Sequence, residues 1–88
     1  MSPELETLDQ LLGGDLSLAI IRTLYPDDDR FRQGLTGLLH SGDVRLLALG
    51  GDEIPSWRWP EFFADPAASI DLDHFKLRIT KQGASKIS

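Results

Sequence analysis

Two histidines, fourteen carboxylates and no cysteine define the chemistry open to this 88-residue chain. Without cysteine it has no thiol nucleophile, no disulfide and no thiolate zinc site. It contains no Gly-x-Ser-x-Gly elbow, no glycine-rich phosphate loop and no His-Glu-x-x-His pair. His40, at the end of an expected helix, reads as a dipole-favoured cation or a cap rather than as a base. Asp71, Asp73 and His74 offer metal donors, but their spacing is diagnostic of no metal site. Asp27-Asp28-Asp29 lacks the alternating ligands, central glycine and terminal acid of a calcium loop. Glu53 and Glu61 form the kind of carboxylate pair that any acidic protein offers. We therefore expect no catalytic residue, no metal and no cofactor.

What is left is recognition. Trp57-Arg58-Trp59, with Phe62 and Phe63 close behind, is the most conspicuous string in the chain. Large aromatics dominate cores and interfaces alike. On a strand, Trp57 and Trp59 would share one face and Arg58 would take the other. The string is then either an aromatic lid over the core or a partner-binding patch of Trp57, Arg58, Trp59 and Phe62.

The elements that must position these residues belong to one small domain, residues 1–88. At 41% hydrophobic and 26% charged, the composition is that of a globular protein. No apolar run is long enough for a membrane span, and no basic-then-apolar secretory leader opens the chain, so cytoplasmic residence is expected. The net charge of −5 disfavours a general nucleic-acid binder. Charge is also uneven. Residues 1–73 hold all fourteen acids against five arginines, whereas residues 74–88 hold Lys76, Arg78, Lys81 and Lys86 and no acid. A basic tail of this kind either interacts elsewhere or folds back on the acidic body; at this chain length folding back is the expectation.

Ser2-Pro3-Glu4 starts a helix on which Leu5, Leu8, Leu11 and Leu12 share a face, and Gly13-Gly14 stops it. Asp15 can cap a second helix, apolar nearly all round through Leu16, Leu18, Ile20, Ile21 and Leu24, and therefore central and buried. Asp27 or Asp28 opens a third, striped by Phe31, Leu35, Leu38 and Leu39 and closed by Ser41-Gly42. Gly34 and Gly37 weaken this helix, and the usual reason to keep them is close approach of another element. Asp43 to Leu49 reads as a strand, Gly50-Gly51-Asp52 as a hairpin turn, and Glu53 to Trp59 as a returning edge strand because Pro55 lacks a donor. One helical turn over residues 60–64 and a connector follow. Phe75, Leu77 and Ile79 then alternate with Lys76, Arg78 and Thr80 as a strand, after which Thr80 caps a final helix. The expected core is Leu8, Leu12, Ile20, Leu24, Phe31, Leu35, Leu39, Leu46, Leu77 and Ile79.

The fold class is thus α+β: three helices, a small antiparallel sheet and a short C-terminal helix. Two strings make this order resemble the winged helix-turn-helix superfamily. Leu38-Leu39-His40-Ser41-Gly42-Asp43-Val44 looks like a recognition helix running into the first wing strand. Phe75 to Gly83 looks like the second wing strand closing on a Leu-Thr-x-x-Gly type string, with Ile79 in place of leucine. Thirty-seven residues separate Gly42 from Thr80, more than a simple wing needs, so residues 50–70 depart from the family pattern. The resemblance implies DNA reading by the third helix through Arg30, Arg32, Gln33 and Thr36, with Lys76, Arg78 and Lys81 on the wing side. The three aspartates at the start of that helix oppose a polyanion. The leading expectation is accordingly a small acidic module that binds another protein; the alternative is a DNA-binding regulator acting as a monomer or a dimer.

Overall fold

A computed structural model describes residues 2–63 and 72–87. The order is α1 (Pro3–Leu11), β1 (Leu16–Ser17), α2 (Leu18–Arg22), α3 (Asp28–Ser41), β2 (Val44–Ala48), a 3₁₀ turn (Ser56–Arg58), α4 (Trp59–Phe63), a second 3₁₀ turn (Leu72–His74), β3 (Phe75–Ile79) and α5 (Lys81–Ser85). It is a small mixed α+β domain. The sheet runs β1-β3-β2, antiparallel throughout, so the alternating strand at residues 75–79 is central.

Local chemistry explains most of the boundaries. Ser2 caps α1 by accepting from Leu5 N, with Pro3 in the first turn. Asp27 caps α3 through Arg30 N, and Gly42 ends it in the left-handed region at φ 81°. Thr80 caps α5 through Gly83 N. The tight return after β2 needs positive φ at Gly51 (97°), whose N–H donates to Ala48 O.

The helices and one sheet face enclose a single core. Leu8, Phe31, Leu35, Leu39, Leu46 and Leu77 are buried there as expected, joined by Leu11, Leu18, Ile21, Tyr25, Leu38, Val44, Ile54 and Phe63. Leu46 and Leu77 are cross-strand partners and share a face. Gly34 is explained by Tyr25, whose ring would lie 2.5 Å from a Cβ added there. Tyr25 in turn meets Phe31 edge-on at 5.7 Å.

The expected core and second helix are corrected. Leu12 (52% exposed) and Ile20 (50%) lie outside the core, while Leu24 and Ile79 are half-buried. The second helix is neither long nor fully buried. Residues 16 and 17 are extended and pair with Leu77 and Lys76 of β3, so α2 keeps five residues and buries only Leu18 and Ile21. Its cap is Ser17, which accepts from Ile20 N, not Asp15. Asp15 instead binds the basic tail, accepting two hydrogen bonds from Arg78 (3.1 and 2.9 Å) with Lys76 Nζ at 3.6 Å. The basic segment folds back on the acidic body.

The strand expected over residues 53–59 does not form. One bridge, Leu47 to Glu53, and the Ile54 N to Leu46 O bond are all of its pairing with β2 in this segment. Pro55 has no N–H with which to continue a ladder, and the chain turns into 3₁₀ geometry with Arg58 N donating to Pro55 O. The helical turn beyond is present as α4, one residue earlier than expected. Ala64, the Asp65-Pro66 break, the connector and Asp71 lie outside the described residues.

Asp43 is a junction that the sequence marks only as the start of a strand. Its carboxylate is buried at the corner where α3, β2, β3 and α5 meet, and it accepts from Ser41 Oγ (2.8 Å), Lys86 Nζ (2.6 Å) and Gln82 Nε2 (3.4 Å). Burial alone would raise this carboxyl, but the hydrogen bonds from Lys86 and Ser41 and the Lys86 charge outweigh it and hold it below the usual range. Asp15 is lowered as well, chiefly by its hydrogen bonds from Arg78. Both carboxylates therefore contribute stability that is present above the ordinary value of 3.8 and is lost as pH falls through their lower folded values. Melting temperature measured from pH 5 downward is expected to drop below about pH 4, and to drop less steeply in Asp43→Asn. An equal slope in that variant would show that Asp43 does not carry the acid sensitivity.

Candidate recognition surface on the third helix and the aromatic segment

The apolar stripe of α3 turns Gln33, Thr36, Gly37 and His40 away from the core, at i, i+3, i+4 and i+7. Part of this outward face is covered by the aromatic segment, since α4 lies against α3. Trp59 carries the contact. Its indole N–H donates to Ile54 O at 3.2 Å, and His40 meets its ring edge-on at 5.3 Å between centroids. Phe63 is buried beneath it, and Phe62 packs against Phe75 at 4.9 Å and against Phe63 at 6.2 Å.

The expected sharing of one face by Trp57 and Trp59 is overturned. A 3₁₀ turn rotates successive residues by about a third of a circle, so the two indoles part. Trp59 is half-buried against the core, whereas Trp57 is 75% exposed. Trp59, Phe62 and Phe63 form the aromatic lid, leaving Trp57 as the surface residue of the four-residue patch. Arg58 stays beside it, bonded to Glu61 at 3.1 Å and lying over the Phe62 ring at 5.7 Å.

Between α3 and α4 lies a cavity of about 210 Å³ walled by Thr36, His40, Ser56, Trp59, Pro60 and Phe63. A shallower depression lined by Asp29, Arg32, Gln33, Thr36, Gly37 and Phe63 continues from it along α3, sharing Thr36 and Phe63. A Cβ at Gly37 would meet nothing within 4 Å, so internal packing does not account for this glycine. Of these residues, sequence reasoning singled out Gln33, Thr36 and Arg32 for nucleic acid and Trp59 for a partner. It missed His40, Ser56, Pro60 and Phe63 as walls. The i, i+3, i+4, i+7 row of small and polar residues opposite the apolar stripe was the signal that could have found the α3 side.

Four of the five cations proposed for nucleic acid are held by the protein's own acids. Arg30 pairs with Glu4 at 3.1 Å, Arg32 with Asp29, and Lys76 and Arg78 with Asp15. Arg22, Arg45, Arg58 and Lys86 are likewise paired, with Asp28, Glu53, Glu61 and Asp43. Arg45 and Arg78 are directly opposed across the sheet, a repulsion that Glu53 and Asp15 offset. Lys81, exposed at the start of α5, is the one cation without an ion pair among the described residues. The structure brings Arg32, Gln33 and Thr36 together on α3; Lys76 and Arg78 stand on the sheet and Lys81 on α5. No helix among the described residues is long and apolar enough to cross a membrane.

Compared with protein-family models, with curated proteins and with solved structures, the chain finds no match in any of the three.

Proposed function

We propose that this chain is a non-enzymatic, cytoplasmic protein-interaction module whose contact surface centres on Trp57 and the adjoining α3–α4 groove. The exposure of Trp57 carries the reading. A tryptophan left 75% open on a small domain forgoes a large hydrophobic gain, and here it sits on a turn held at both ends, by the Leu47–Glu53 bridge and by the Trp59 indole bond. Such pinned aromatics lose little conformational entropy on binding and act as interface anchors. The internal pairing of eight of nine lysines and arginines supports the same reading over the DNA-binding alternative. Each pair would have to open before a phosphate could release counterions. The winged-helix alternative would also have to use an α3 face that α4 partly covers.

A photo-crosslinking residue at position 57, compared with one at the exposed Ile20, tests this in the cells that make the protein. Discrete protein adducts from position 57 and none from position 20 are expected, together with no saturable binding of labelled duplex DNA at low salt. Saturable DNA binding with a steep salt dependence, or position 57 giving no protein adduct, overturns the proposal.

A further inference from the structure

We infer that one occupant of this surface is a second copy of the chain, each copy seating Trp57 in the α3–α4 cavity of the other. The inference rests on the proposed role of Trp57 and names its partner. Three observations carry it. The first is size. The cavity holds about 210 Å³ and opens along α3 into the depression lined by Gln33 and Gly37. It is somewhat larger than the ~150 Å³ apolar cavity that takes up benzene, which suits a bicyclic indole.

The second is placement. Trp57 stands next to Ser56 in sequence, and Ser56, Trp59 and Pro60 wall the cavity, so the turn that carries the exposed indole also forms one wall of the hole. A two-fold axis passing between them puts each knob opposite the other copy's hole, and the contact closes after two copies. A heterologous partner needs only the hole or only the knob; their adjacency is what a self-complementary surface requires.

The third is charge. The chain carries −5 and would repel its copy, but beside Trp57 the charges of Arg58 and Glu61 neutralise each other in their 3.1 Å ion pair. The same two-fold operation lets the pair exchange partners, Arg58 of one copy meeting Glu61 of the other, so that no ion pair is lost on association. Thr36 and Gly37 on the α3 side are small, and the open space over Gly37 leaves the seated ring and its backbone room to approach the helix.

Sedimentation of the intact chain from ~1 μM to ~1 mM reads the association directly. A monomer–dimer equilibrium is expected, with a blue shift of tryptophan emission as the dimer forms. Trp57→Ala should weaken it at least 100-fold while leaving the melting temperature of the monomer unchanged, because Trp57 is exposed. Thr36→Phe, which fills the cavity from its own side, should weaken it comparably. Arg58→Glu alone sets like charges across the axis and should weaken it, as should Glu61→Arg alone; the double variant should recover most of the loss. A chain monomeric at all concentrations overturns the inference, as does a dimer indifferent to Trp57→Ala or to Thr36→Phe. If position 57 crosslinks to a different protein while the chain is monomeric, the proposed function stands and only the self-association fails.

Discussion

Deleting residues 75–88 is expected to abolish cooperative folding. The deletion removes β3, the one strand that pairs with both others, and leaves β1 and β2 with no partner in the sheet. Leu77, fully buried between Leu16 and Leu46, goes with it, and burial of one leucine is worth about 1.5–3 kcal/mol. So do the Asp15 pairs with Arg78 and Lys76, and the Lys86, Gln82 and Thr80 contacts that hold the Asp43 corner. Against a total stability of about 5–15 kcal/mol for a typical domain, these losses leave nothing to fold cooperatively. Thermal circular dichroism should show a broad, shallow transition. A truncated chain that still melts sharply would show that the helices build their core without the sheet.

Substitution of alanine for three glycines should separate three environments with one chemical change. Gly83→Ala is expected to destabilise by about 3 kcal/mol or more. Gly83 is buried, and a Cβ there would overlap the Asp43 carbonyl, a backbone atom that already accepts from Thr80 N and Thr80 Oγ1. α5 would have to lift from the corner where α3 meets β2, opening the Asp43 network. Gly34→Ala meets a side chain instead, the Tyr25 ring, and should cost about 1–3 kcal/mol because that ring is itself packed on Phe31. Gly37→Ala meets nothing and should stabilise by about 0.5–1 kcal/mol through helix propensity and a less disordered unfolded chain. Denaturant midpoints read all three. If Gly83→Ala were as well tolerated as Gly37→Ala, the docking of α5 against Asp43 would be wrong.

The elements whose signals are local could be read before the fold was known. Asp27 caps α3 and Gly42 ends it because a short acceptor and a residue free to take positive φ are needed at those points whatever surrounds the helix. The alternation of Phe75, Leu77 and Ile79 with Lys76 and Arg78 makes β3 for the same reason, since a pleated strand with one buried face demands it. The Trp57–Phe63 segment also stood out by composition alone, and the basic tail was expected to return to the acidic body.

What distant residues decide could not be read that way. Asp15 is an adequate helix cap by type, but Arg78, 63 positions away, competes for the same carboxylate with a two-bond ion pair, and Ser17 takes the cap. Leu16 and Ser17 leave the helical pattern because β3 offers a free edge that only the folded chain assembles. Leu12 and Ile20 lie at helical spacing from buried residues, yet no element among the described residues packs over them, and an apolar side chain is buried only where a neighbour excludes water. Trp57 and Trp59 are chemically the same. The 3₁₀ turn that follows Pro55 sends one toward His40 and the Ile54 carbonyl and the other into solvent, so the backbone geometry of three residues separates the lid from the contact surface.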